Sequence, residues 1–177
     1  QGTFFGSIIA SEKTAAAAGD IGELRRDPMA MLPFCGYNMA DYWGHWINIG
    51  KNAGVRLPKI YYVNWFRKNN EGKFIWPGFG ENSRILKWIF ERCVGSGSAI
   101  ETPIGNLPTI DGLYLEGLEL SDNEIAHLLR VEIDGWLAEI PQIEAYYESY
   151  NGHTPPELLD ELTKLKERLE AAQSEAA

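Results

Sequence analysis

The stretch NWFRKNNEGKFIWPGFGENSR, residues 64 to 84, sets two tryptophans and three phenylalanines among charges and glycines. Just upstream and into it, Lys59 to Phe66 is rich in aromatic and β-branched residues and follows Pro58, which predicts a strand. Asn69-Asn70-Glu71-Gly72 supplies turn chemistry, and Lys73 to Trp76 returns as a second strand that Pro77-Gly78 cuts off. From Asn82 or Ser83 onward, the spacing of Ile85, Leu86, Trp88, Ile89 and Phe90 predicts an amphipathic helix, ended by Gly95-Ser96-Gly97-Ser98. Residues 59 to 84 are therefore expected to form a hairpin that runs through a glycine loop into a helix N-terminus.

In that hairpin Phe66 closes one strand, Phe74 opens the other and Phe79 lies in the loop beyond, so three rings are expected at one end. Aromatic faces suit a flat ring system, because stacking contributes roughly 1–3 kcal/mol per base without a particular hydrogen-bond pattern. Gly78 and Gly80 allow close backbone approach, and Asn82 adds an amide with both a donor and an acceptor. Guanine offers the complement, since its O6 accepts while N1–H and the 2-amino group donate; adenine reverses the sense at position 6. The same aromatic residues also read as hydrophobic core, and Trp65 and Trp76, on the other side of the strands from Phe66, read as packing.

The rest of the chain bounds these readings. Its 177 residues suit one domain with a sizeable core, and 45% hydrophobic with 23% charged content is globular rather than disordered. No run of about 18 apolar residues is present, so no membrane span is expected. The opening Gln1-Gly2-Thr3-Phe4-Phe5-Gly6-Ser7-Ile8-Ile9 has no basic n-region and reads as entry in mid-strand, which predicts a fragment or a processed chain. Cys35 and Cys93 fit no metal spacing and predict reduced thiols in a cytoplasmic setting, with Cys35 buried. His45, His127 and His153 are isolated, so no metal site is expected in this chain.

Net charge is −9, unevenly spread. Residues 51 to 92 carry nine Lys/Arg against three Asp/Glu, whereas residues 101 to 177 carry four against seventeen. The aromatic stretch thus lies in a basic island of an acidic chain, which points to an anionic ligand handled locally rather than to a nucleic-acid coat.

Along the chain, Thr3 to Ile9 predicts a buried strand, and Ser11 to Gly19, small and alanine-rich, a loop with a helical turn. The prolines of residues 27 to 36 predict irregular packed backbone. Tyr42, Trp43, Trp46, Ile47 and Ile49 predict a helix closed by Gly50 to Gly54. Ser121-Asp122-Asn123-Glu124 is a capping box that opens a helical pattern running to Pro141, and Thr154-Pro155-Pro156-Glu157 a second, opening a helix over about 158 to 173. This helical end, about 121 to 173, offers nothing catalytic.

The run Asn64 to Lys68, then Gly72 to Arg84, resembles the C-terminal part of GTP-dependent phosphoenolpyruvate carboxykinase. Ser11 to Ala17, Asp27 to Met31, Pro33-Phe34, Gly36-Tyr37-Asn38 and Thr102-Pro103-Ile104-Gly105 extend the likeness over about residues 2 to 140. The resemblance implies an α/β nucleotide-binding region, residues 1 to 177 forming a single C-terminal part of it. It implies an enzyme of gluconeogenesis or anaplerosis that converts oxaloacetate and GTP to phosphoenolpyruvate, carbon dioxide and GDP, with Mn²⁺ and with Mg²⁺ on the nucleotide, and a monomer that binds no nucleic acid. By the same likeness Phe66, Phe74 and Phe79 form the guanine pocket, and Phe79, Gly80, Glu81 and Asn82 the nucleotide-contacting turn. Ser11, Glu12, Lys13, Thr14, Ala15, Ala16, Ala17, Ala18 and Gly19 correspond to a mobile lid. The family's phosphate loop, its Lys, His and Asp metal ligands and its substrate arginines are expected N-terminal to residue 1, which leaves the isolated chain inactive. Leu32 and Cys35 stand where some relatives have Arg and Phe. A non-enzymatic module with an aromatic face for a sugar or single-stranded RNA is the alternative.

Overall fold

In the computed structural model, residues 1–12, 24–52, 54 and 56–176 are described. In chain order the elements are α1 (Gly2–Ser7), β1 (Ala10–Glu12), β2 (Leu24–Arg26), α2 (Met39–Lys51), α3 (Asn82–Val94), β3 (Ile100–Thr102), β4 (Gly105–Leu107), α4 (Asp122–Leu129), α5 (Ile133–Glu148) and α6 (Pro156–Ala176). The architecture is mixed, helices with two small antiparallel sheets, β1 with β2 and β3 with β4. The chain divides into two compact units, residues 1–62 with 134–177, and residues 63–133. None of the described helices is long and apolar enough to cross a membrane.

The first unit is built on one face each of α5 and α6. Leu158, Leu162, Leu165 and Leu169 recur at helical spacing and are all buried, as are Ile140, Ile143 and Tyr147. Trp43 of α2 sets its ring edge-on to Tyr147 and Tyr150, at 5.6 and 4.7 Å between centroids. The buried Ser7 hydroxyl lies 2.6 Å from the Tyr147 hydroxyl and donates to the Phe4 carbonyl at 2.7 Å. Burial pushes the Tyr147 phenol well up, so it stays a neutral hydrogen-bonding group.

In the second unit, Trp88 of α3 is buried and donates its indole N–H to the Ser98 carbonyl at 2.8 Å. The Ser121 capping box forms as the sequence predicts: the Ser121 hydroxyl accepts from the Glu124 N–H, and the Glu124 carboxylate accepts from the Ser121 N–H at 2.8 Å.

Four expectations are corrected. Thr3 to Ile9 is not a strand: residues 2 to 7 form α1, which buries Phe4, Ser7 and Ile8 at i, i+3 and i+4, and a short apolar run fits either periodicity. Lys59 to Phe66 runs without a ladder, because Pro77 stops the return arm after four residues and leaves that segment no backbone to pair with. The helical pattern from residue 125 does not run unbroken to Pro141. It stops at Leu129, where Arg130 is extended, and α5 carries Pro141 in its interior, the burial of Ile140 and Ile143 offsetting the lost backbone bond. Cys35 is half-buried rather than buried, its thiol 3.4 Å from the Tyr37 carbonyl. Pro156 does open α6, while the Thr154 hydroxyl donates to the Tyr147 carbonyl at 2.8 Å and ties that opening to α5.

Leu165→Ala is expected to cost about 2–5 kcal/mol, read from denaturant unfolding, because the residue is fully buried. The Ser121 hydroxyl and then its N–H hold the Glu124 carboxyl below the usual carboxylate range. Since the folded pKa is depressed, this stabilisation is present above the ordinary range and is lost as pH falls through the folded value. The Ser121 amide shift followed by NMR should therefore show an acid transition that Glu124→Gln abolishes; persistence of the transition in that variant contradicts the assignment.

Candidate functional site

The site grows from the arm that precedes Pro77. Lys68 bridges Phe74 in antiparallel register, the Asn69 N–H donates to Lys73 O, and the Ile75 N–H donates to Arg67 O, both at 2.9 Å. The hairpin is thus short, pinned by a turn at 69–72 in which the Asn69 side chain accepts from the backbone of Glu71 and Lys73. Burial alternates along residues 63 to 70, although Trp65 and Phe66 lie in a turn where the Phe66 N–H donates to Asn64 Oδ1 at 2.9 Å. Trp65 turns inward and Phe66 outward.

The outward rings are conspicuous. Phe66 is 69% and Phe74 58% exposed, and the two meet edge to face at 5.7 Å. The Lys68 ammonium stands 5.3 Å from the Phe74 centroid. Phe79 is 95% exposed and holds a left-handed backbone, φ 49°, beside Gly78 at φ 79°, ψ −165°. A non-glycine residue at positive φ is uncommon, and Met29, Ala30 and Asn151 hold it as well; Phe79 adds to it a bare aromatic ring. A Cβ at Gly80 would meet nothing within 4 Å, so that backbone is open to a ligand.

The inward residues set the frame. Trp76, 8% exposed, packs on Trp65 at 6.4 Å between centroids, and its indole N–H donates to Asn82 Oδ1 at 2.8 Å. The Glu81 carboxylate accepts from Arg84 Nε, and the same guanidinium donates to the carbonyls of Tyr114 and Glu116 at 2.6 and 2.9 Å. Glu81 therefore holds the turn through Arg84. Arg67 donates to the carbonyls of Leu128 and Arg130, at 3.3 and 2.8 Å, and to Glu132, thereby capping the C-terminal end of α4. The basic island is in large part paired in this way, Lys73 with Glu71 and Lys87 with Glu91 adding to it.

The structure thus joins Phe66 to Phe74, and places Phe79, Gly80, Glu81 and Asn82 on consecutive positions of one turn into α3. Sequence reasoning missed Trp76 as the partner of Asn82; the six-residue spacing across a proline and two glycines carries no periodic signal for it.

Of the expected lid, Ser11 and the backbone of Glu12 belong to β1, which pairs Ser11 with Arg25 and Glu12 with Leu24. Arg26 at the base of this ribbon donates to the Ile8 carbonyl at 3.0 Å and to Glu139 at 2.8 Å. Lys13, Thr14, Ala15, Ala16, Ala17, Ala18 and Gly19 lie outside the described residues. Among the described residues no group of three or more His, Cys, Asp or Glu is placed to hold a metal ion. The described donor set therefore does not fit a divalent cation.

A family model described as the phosphoenolpyruvate carboxykinase C-terminal P-loop domain matches residues 1–168. The chain is 51% identical to phosphoenolpyruvate carboxykinase [GTP] of Renibacterium salmoninarum, over 96% of this chain and 28% of that protein. It is equally similar to the protein of that name from Treponema pallidum, over 99% of this chain and 29% of that one. The Paenarthrobacter aurescens protein is 50% identical over 96% of this chain and 28% of its own length. The chain thus spans less than a third of the curated relatives it matches, and a free-standing sugar or RNA module is left without support.

Gly78→Ala is expected to destabilise by about 1–3 kcal/mol through backbone strain alone, since its Cβ would meet nothing within 4 Å. A shift in the urea midpoint measures this, and a loss under about 0.5 kcal/mol contradicts it.

Proposed function

The chain belongs to the family of GTP-dependent phosphoenolpyruvate carboxykinases, and on that premise we propose that it is the C-terminal portion of an enzyme converting oxaloacetate and GTP to phosphoenolpyruvate, carbon dioxide and GDP. This portion supplies the guanine pocket of an α/β nucleotide-binding domain, together with the active-site lid. The observation that carries the reading is the set of exposed rings, Phe66 and Phe74 touching edge to face and Phe79 held bare at positive φ. A purine entering between such faces gains stacking that water cannot supply, and buries rings the free chain leaves wet.

The residues here bind and orient; the bond changes belong to the substrates. Decarboxylation of oxaloacetate leaves an enolate, whose oxygen takes the γ-phosphoryl group of GTP. The Mn²⁺ and Mg²⁺ of this reading would be held by residues outside this chain, where they would supply charge neutralisation at the phosphates. Holding the base fixes the far end of the nucleotide, so binding energy there goes into aligning the phosphates. A lid over residues 11 to 19 would exclude water, which otherwise protonates the enolate to pyruvate. The β1–β2 ribbon, clamped by Arg26 to Glu139, gives that lid a firm stem. The reading is of a cytoplasmic monomer, in keeping with a chain that carries only two cysteines.

In the complete protein, Phe79→Ala is expected to weaken GTP binding by about 1–3 kcal/mol, roughly fivefold to 150-fold, while the unfolding midpoint stays unchanged because the ring is exposed. Calorimetric titration with GTP and ATP tests this. Equal affinity for the two nucleotides in the unsubstituted protein would sink the guanine-pocket reading.

A further inference from the structure

We propose that Trp76 is a positioning residue that makes the turn selective for a 6-oxo purine, by fixing which end of the Asn82 amide faces the base. The proposal rests on the reading of Phe66, Phe74 and Phe79 as a base slot. An indole N–H is a donor and nothing else, so the Asn82 atom 2.8 Å from Trp76 Nε1 is the amide oxygen. The reversed amide would set two donors against each other. Trp76 cannot turn away from this bond easily, because it is buried and packed against Trp65.

The consequence lies at the other end of the amide. With Oδ1 engaged, Asn82 presents its Nδ2 amine as its outward group, and an amine matches a base that accepts at position 6. Guanine and hypoxanthine carry an oxygen there, whereas adenine carries an amine. Without the indole N–H the amide is two-fold in its terminal torsion, and either end can meet the base. The Asn alone supplies a hydrogen-bonding group; the Trp gives it a sign. A site built to donate to a substrate oxygen rejects the analogue that lacks it, because the donor is then left unpaired.

Three nucleotides separate this from packing. GTP and ITP share the 6-oxo group and differ in the 2-amino group, while ATP has the opposite sense at position 6. In the complete protein, Trp76→Phe is expected to weaken GTP and ITP equally and by no more than about twofold while ATP tightens, so that the preference for the 6-oxo base falls by about tenfold or more. Replacing Trp76 with benzothienylalanine, which keeps the ring shape and removes only the N–H, should do the same and serves if the Phe variant folds poorly. A common loss for all three nucleotides, or no change with either variant, overturns the proposal. Asn82→Ala separates the two levels of argument. If it abolishes the preference for GTP over ATP while both Trp76 variants keep it, only the positioning role fails. If it leaves that preference intact, the base is read elsewhere and the slot reading fails with it.

Discussion

The turn at Pro77-Gly78-Phe79 is the constraint on which the site depends. Pro77 ends the return arm of the hairpin, Gly78 takes a backbone conformation open to little else, and Phe79 follows at positive φ. Three residues thereby reverse the chain and deliver Asn82 to the first position of α3, under the indole of Trp76. Were the turn relaxed, the Phe79 ring could fold back toward apolar neighbours and the Trp76–Asn82 bond would lose its register. Strain in the backbone and exposure of the ring belong to one arrangement, and the proposed ligand would cover the ring.

Around that turn the unit is held by groups that do not touch the proposed ligand. Arg84 gathers Glu81 and the carbonyls of Tyr114 and Glu116, while Arg67 takes the last carbonyls of α4. Two cations of the basic island, Arg67 and Arg84, are engaged in these internal bonds and so serve the scaffold of the site. Beneath the hairpin, Val63, Trp65, Trp76, Ile85, Leu128 and Leu129 help line an apolar cavity of about 110 Å³. Aromatic residues face both ways from one short segment, Trp76 buried and Phe66, Phe74 and Phe79 exposed.

Much of this was legible in the sequence, and what was not has a physical reason. The capping box at Ser121, the start of α6 at Pro156 and the helices α2 and α3 are local features, so periodicity and cap chemistry found them, although Leu86 and Phe90 of the face expected on α3 are exposed. The start of the chain was misread because a seven-residue run with four large apolar side chains fits a strand or a helix until its partners are known; Tyr147, 140 residues away from Ser7, decides it. The break after Leu129 depends on Arg67 reaching across 61 residues. The Phe positions were visible as candidates, but the bond that gives Asn82 its orientation joins two side chains through an irregular turn, where no spacing rule operates.

The most direct measurement is a crystal structure of the complete protein with GDP bound. The account predicts the purine stacked between Phe79 and the Phe66–Phe74 pair, with Asn82 Nδ2 about 3 Å from O6 and Oδ1 still on Trp76 Nε1. A base bound away from these rings, or an Asn82 amide turned with its oxygen toward the purine, would contradict it.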